Sequence, residues 1–331
     1  MAKKSLLTER ESVAINILKA ISIFSVIAAH VIVFTDDNLF SRIISSLWIL
    51  FGEIGVISFF VIGGFLYARK PLDGKAFWQK KFFRIIIPWL MCSSLTHLFF
   101  AFTSHTFSIV EYLKWVFGSG TWYYYIAIYT LFLFIFKWLW NRTAILIILI
   151  GLQVISLLLA SFGFSLTPPL PFMTDYLNPL HWVGYFSLGI LVRTYRLDIR
   201  LRAKKSILFA AYLLSPLTAL LLMQLKIFTY FNILTSVFCL SSLIIIADLS
   251  YRIAVGSAAK SIAKIGTWSY CIYLLHMQIV QFFINRLPGD WFRLLFSPIV
   301  GLALMVLFIC IGLFLCKKLP FGEKIKLLVG L

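Results

Sequence analysis

Two ionisable residues, eleven positions apart in an apolar run, are where this sequence first offers chemistry. Lys19 and His30 interrupt the helix-length stretch 15–33, INILKAISIFSVIAAHVIV. At about 100° per residue, eleven residues make three turns plus roughly 20°, so both side chains share one face, about 16 Å apart along the axis. An ammonium and an imidazole on one stripe of a membrane helix are costly to keep, and by default they mark a functional path. Two plainer readings stand beside that one. Lys19 can snorkel from near the end of the run to an interface, and a single histidine can be a packing residue. Glu53, in WILFGEIGVISFFVIGGFL, is the next such group. A carboxylate in that setting must be paired, protonated or wetted. At the depth of His30 it would orient or charge the imidazole, as carboxylates do for histidine bases; a partner on another helix or a polar vestibule is the alternative.

Three further clusters follow. Lys80, Lys81 and Arg84 in KKFFRIIIPW precede Pro88, which loosens backbone hydrogen bonding in that turn. Cations there are expected from topology alone and would equally suit a phosphate-bearing ligand. Trp122 and Tyr123 open TWYYYIAIYTLFLF, an aromatic belt by default and a sugar-stacking surface as the weaker reading. In WSYCIYLLHMQIV, Tyr273 and His276 stand three residues apart, on nearly the same helix face.

The elements that must position these groups are membrane helices. The chain has 331 residues, of which 61% are hydrophobic and 13% charged, a balance that excludes an ordinary soluble domain. A span needs about 20 apolar residues. On that measure the sequence predicts an all-α polytopic bundle with about ten transmembrane helices, near 13–34, 44–68, 82–104, 121–140, 143–163, 179–193, 205–224, 228–248, 266–285 and 292–316. The first run lacks a small-residue cleavage site after it and reads as a retained signal anchor. No internal repeat is evident, and 1–331 reads as a single transmembrane domain without an appended soluble one. Cys92, Cys239, Cys271, Cys310 and Cys316 sit singly in apolar runs and form no CxxC or metal-type cluster, so neither disulfides nor a metal site is expected.

The net charge of +18 would suggest a nucleic-acid partner in a soluble chain. Here it follows membrane orientation instead. Of the 30 lysines and arginines, Arg42, Lys114, Lys226, Arg286 and Arg293 fall on one set of connections and Lys19 lies inside the first run. The other 24, from Lys3 and Lys4 through Arg69, Lys70, Arg200 and Arg202 to Lys317 and Lys318, fall on the opposite set. That asymmetry predicts both termini in the cytoplasm, and hence an even number of spans.

Taken in order, these residues resemble the acyltransferase-3 family of bacterial membrane O-acyltransferases, the surface-glycan O-acetyltransferase type. Lys19…His30 matches a first-helix pattern of Arg or Lys, ten residues, then His. FFVIGGFL matches FFxxSG through Phe59, Phe60 and Gly64, with Gly63 in place of Ser. KFFRIIIP resembles RxxRIxP through Lys81, Arg84, Ile85 and Pro88, with one residue inserted. Trp122-Tyr123 matches a Trp-Tyr opening, and Ser269, Ile272, Tyr273 and His276 match SxxIYLxH.

What the resemblance implies is transfer of an acyl group, acetyl by family habit, from cytoplasmic acyl-CoA to a hydroxyl of a surface or lipid-linked glycan, at a multi-pass protein of the bacterial inner membrane. His30 would be the general base, assisted by Glu53. Lys19, Lys81 and Arg84 would hold the donor's phosphates, acetyl-CoA being a substrate, and Trp122, Tyr123, Tyr273 and His276 would face the acceptor. Two other classes stay open: a polysaccharide exporter or proton-coupled transporter, which intramembrane Lys, Glu and His also suit, and an inactive partner in a glycan-assembly complex.

Overall fold

The computed structural model describes residues 7–31, 38–68, 74–104, 107–170, 172–197, 204–284, 286–287 and 290–331. Among them there are helices and connections and no strand. In chain order the helices are α1 (Glu9–Val31), α2 (Leu39–Tyr67), α3 (Gly74–Lys81), α4 (Ile87–Ser104), α5 (Ile109–Phe117), α6 (Tyr124–Leu139) and α7 (Thr143–Ser161). Then come α8 (Val183–Thr194), α9 (Lys205–Leu225), α10 (Ile233–Ile253), α11 (Ser257–Thr267), α12 (Ser269–Ile284), α13 (Asp290–Lys318) and α14 (Gly322–Leu328). A π-helical turn, Phe82–Ile86, joins α3 to α4 into one rod.

Seven of these elements are long and apolar enough to cross a membrane: α1, α2, the α3–α4 rod, α7, α9, α10 and α13. The shorter apolar helices α6, α8 and α12 stand where the sequence calls for spans at 121–140, 179–193 and 266–285. The protein is an all-α polytopic membrane bundle. Helices α5, α11 and α14 occupy stretches that read as connections or tail, being too short or too polar to span. Lys3, Lys4, Arg69, Lys70, Arg200 and Arg202, which contribute to the orientation argument, lie outside the described residues. Of the cysteines, Cys92, Cys239 and Cys271 are buried, whereas Cys310 is exposed on α13.

Helix α1 is the hub, packed against α2, α10, α11, α12 and α13. It approaches α2 closely because glycines face it there. A Cβ on Gly52 would stand 2.8 Å from Ala29, and one on Gly55 would stand 2.8 Å from the Ser22 carbonyl. Ser25 locks the crossing by donating its hydroxyl to the Phe51 carbonyl at 2.5 Å. In an apolar medium, where lipid competes with side-chain packing, small residues and interhelical hydrogen bonds are what hold helices together. Caps are local. Asn38 accepts from the Ser41 N–H at 2.9 Å to start α2, and Asn232 accepts from Leu234 at 2.9 Å to start α10. Gly118 ends α5 at φ +87°. A side chain there would meet the Tyr124 nitrogen at 2.1 Å, so only glycine fits.

Candidate active site

The cations singled out in the sequence come from α1 and from the α3–α4 rod. Pro88 has no N–H and its ring crowds the carbonyl four residues back, that of Arg84. The chain answers with the wider π turn, and the residue inserted into KFFRIIIP is the extra residue that such a turn accommodates. Tyr270 on α12 donates its hydroxyl to the Ile85 carbonyl at 2.5 Å, pinning the π turn in place. Arg84 thereby comes onto the wall of a cavity of about 670 Å³. Lys19 of α1 lines the same cavity, as do Phe59, Tyr125, Tyr129, Tyr270 and Tyr273. Lys81 is not on that wall. It stands near enough to Lys19 for the two charges to repel, with its ammonium 5.6 Å from the centre of the Phe77 ring. The wall also carries residues unremarked as site residues in the sequence, among them Tyr125, Tyr129, Tyr270 and Lys326 of α14, which pairs with Glu323 at 2.5 Å, itself on the wall. Lys326 reads as an orientation signal, and nothing in its local sequence distinguishes it from Lys324.

His30 and His276 lie side by side, their ring centroids 5.1 Å apart. His276 is fully buried, and its Nδ1 lies 2.7 Å from the Tyr273 carbonyl. A carbonyl can only accept, so Nδ1 carries the hydrogen and Nε2 is left as a bare lone pair. That Nε2 is buried without a hydrogen-bond partner. His30, at the last turn of α1, is exposed. The motif spacing thus brings together two imidazoles that the sequence assigned to different tasks, one accessible and one buried with a fixed tautomer.

A second cavity, of about 560 Å³, is lined by Thr96, Trp122, Met277, Gln278 and Arg286 together with Leu95, Phe99, Phe100 and Phe282. The Trp122 ring lies 6.4 Å from that of His276, and Tyr273, on the first cavity's wall, lies 5.7 Å from it. His276 therefore contacts a wall residue of each cavity. Tyr273 spans the gap as well, donating its hydroxyl to the Trp122 carbonyl. Gln278 donates to Thr96 at 2.7 Å and to Tyr123 at 3.1 Å, leaving its carbonyl oxygen buried and unpartnered. A lone amide two residues after His276 in an apolar helix was a legible signal that the sequence reading passed over.

Two expectations are corrected by position. Tyr123 is not a sugar-facing ring: it is fully buried, and its hydroxyl is engaged by Thr96 and Gln278 and donates to the Leu274 carbonyl at 3.3 Å. It ties α6 to α4 and α12. Glu53 has the depth expected of it, since the neighbouring Gly52 packs on Ala29. One residue further round the helix, however, its carboxyl turns away from the imidazoles toward Tyr124, Tyr176, Tyr185, Tyr230 and Cys239. Oε2 of Glu53 has no hydrogen-bond partner there.

The structure thus holds a cationic cavity, an imidazole pair, and a second, aromatic cavity, with His276 in contact with a wall residue of each. A family model described as an acyltransferase domain matches residues 12–317. The chain belongs to the acyltransferase-3 family. The matched stretch runs from the first turn of α1 to the end of α13 and makes the protein a membrane acyltransferase in general terms. Helix α14, with Lys326, lies beyond the matched stretch. No curated protein and no solved structure matches the chain.

Proposed function

We propose that the protein moves an acyl group, acetyl in the simplest case, from cytoplasmic acyl-CoA to a hydroxyl of a surface or lipid-linked glycan on the outer side of a bacterial inner membrane. The observation that carries this reading is the His30–His276 pair, whose buried member contacts Tyr273 on the wall of a cationic cavity and Trp122 on the wall of an aromatic one. Lys19, Arg84 and Lys326 on the first cavity's wall suit the phosphates of the donor, and Lys81 adds positive potential behind them. The thioester then reaches past Tyr273 to the imidazoles.

His30 is the accessible imidazole and takes the proton of the acceptor hydroxyl as its oxygen attacks the thioester carbon. The new C–O bond forms, the C–S bond breaks, and the proton passes from the imidazolium to the departing CoA sulfur. His276 is a positioning residue. Its bare Nε2 can accept an N–H from His30, holding the second ring in one tautomer and stabilising it while protonated. Mass spectrometry of surface glycans from cells with and without the protein tests the whole reading. Loss of acyl groups at unchanged glycan quantity supports it, and unchanged acylation with less exported glycan would replace it with the exporter.

Orientation has its own check. Reporters fused within 196–205 and after Leu331 are expected to report cytoplasm, and one within 35–41 the exterior. An external reporter after Leu331 would exchange the donor and acceptor sides.

The donor cavity makes a prediction with opposite signs on neighbouring residues. Lys326→Gln is expected to raise KM for acyl-CoA about three- to tenfold with kcat nearly unchanged, the loss of one charge-assisted phosphate contact. Glu323→Gln releases Lys326 from an ion pair whose carboxylate is largely exposed. Such a pair is worth about 0–1 kcal/mol, so KM is expected to fall by at most a few-fold. Steady-state kinetics of purified protein in liposomes reads both.

A further inference from the structure

A third cavity, of about 320 Å³, lies among α1, α2, α8, α9 and α10, and neither imidazole of the pair lines it. Most of its wall is apolar, with Leu18, Val61, Leu188, Leu240 and Leu243 on it. Among the described residues, polar side chains join the wall at one end, where α1 begins and α10 ends: Glu11, Asp248 and Tyr251. A polar metabolite would lose its water along such walls and find nothing to pair with, so the cavity suits an apolar occupant. Its length says which. From Leu240 to Tyr251 on α10 the wall runs about 16 Å at ~1.5 Å per residue, close to half of a hydrocarbon core about 30 Å thick. The apolar liners are buried or half-buried, so a chain lying there is recessed between helices and not spread on the outer surface.

Three guanidiniums surround the polar end. Arg196 meets Glu11 at 2.6 Å, and Arg252 meets Asp248 at 2.6 Å with its own side chain 64% exposed. Arg10 donates its Nε–H to the Tyr251 carbonyl at 3.0 Å and lies over the Tyr251 ring, 4.2 Å from the centroid. Three guanidiniums against two carboxylates leave positive charge in excess at the mouth of an apolar slot. We propose that this slot holds one acyl chain of an anionic phospholipid from the leaflet at which α1 starts, with the lipid's phosphate at Arg10 and Arg252. On the orientation proposed above, that leaflet is the cytoplasmic one. The lipid would fasten α1, the hub of the bundle, to α2, α8 and α10 along a line where their side chains leave a gap. Its binding does not depend on acyl transfer.

Native mass spectrometry of the full chain in detergent reads the binding, and the Tm of the same samples reads its effect on stability. The probes are long-chain phosphatidylglycerol, short-chain phosphatidylglycerol, long-chain phosphatidylethanolamine and palmitoyl-CoA. Long-chain phosphatidylglycerol is expected to be retained best and to raise the Tm, since a ligand that binds the folded chain stabilises it. Arg10→Gln should weaken its retention about fivefold, the usual worth of one basic residue at an anionic lipid head, and Arg10→Lys by less. Arg10 is exposed, so this variant tests the head contact without disturbing the core. Ala247→Leu, which adds bulk on the slot wall, should weaken long-chain phosphatidylglycerol about tenfold and reduce the Tm rise that the lipid produces. Phosphatidylethanolamine retained as tightly as phosphatidylglycerol would overturn the proposal, as would short-chain lipid retained as tightly as long. Unchanged binding by Arg10→Gln or by Ala247→Leu would overturn it too. If Ala247→Leu instead weakened palmitoyl-CoA and spared phosphatidylglycerol, the slot would belong to an acyl-CoA chain and not to a membrane lipid.

Discussion

His30→Ala is expected to lower acyl transfer by about a hundred- to ten-thousand-fold, the usual contribution of a positioned general base. Protein abundance in the membrane should hold, because His30 is exposed at the end of α1 and its removal empties no core position. His276→Ala should cost less in rate, about ten- to a hundredfold by the same scale. It should also change the shape of the pH profile, since a ring that touches His30 alters how readily His30 holds a proton. In the parent, activity should fall as pH drops, because a base works only while neutral and protonation removes it. Glu53→Gln separates this arrangement from the one expected from sequence. With its carboxyl turned toward Tyr124, Tyr176 and Tyr230, the substitution should leave the pH profile in place. A profile displaced by Glu53→Gln at normal abundance would return Glu53 to the imidazole pair. An exporter predicts the reverse of the main result: His30→Ala would leave acyl groups on each sugar unchanged and reduce the quantity exported.

The bundle was legible because membrane spans announce themselves by length and composition, and all seven long apolar elements fall on predicted runs. The imidazole pair was half legible. Each histidine stood out as a titratable group in an apolar helix, but their adjacency is a matter of how α12 packs on α1, which no periodicity within one helix encodes. Glu53 shows the same limit at finer grain. Depth follows from counting residues along a span, whereas facing depends on which side of α2 meets α1, and the glycines at 52 and 55 decide that. Trp122 and Tyr123 are adjacent in an aromatic belt and indistinguishable in sequence. One lines a cavity and the other is sealed inside by Thr96 and Gln278. The residue inserted before Pro88 is visible in sequence only as a difference in motif length; in the structure it belongs to the π turn that brings Arg84 to the wall.

Two adjacent glycines of FFVIGGFL are expected to fail differently, and Gly64 carries the larger effect. A Cβ on Gly64 would stand 2.0 Å from the Phe186 carbonyl oxygen, and one on Gly189 would stand 2.0 Å from that of Val61. The two glycines thus let α2 and α8 touch backbone to backbone, each serving the other's helix. Backbone cannot rotate aside as a side chain can, so Gly64→Ala must push the helices apart along their whole contact. Overpacking typically costs about 1–3 kcal/mol, and a clash with main chain on both sides belongs at or beyond the top of that range. Gly64→Ala should therefore sharply reduce the amount of folded protein extracted from membranes and lower its Tm in detergent. Gly63 meets a different neighbour: its added Cβ would stand 2.7 Å from the edge of the Tyr129 ring, a side chain that lines the cationic cavity. Gly63→Ala should leave the Tm within a few degrees of the parent but displace Tyr129, so its mark should appear in KM for acyl-CoA. If Gly64→Ala melted with the parent, the close α2–α8 contact would be absent in the membrane, and the cavity wall that α2 builds with Phe59 and Gly63 would have to be redrawn.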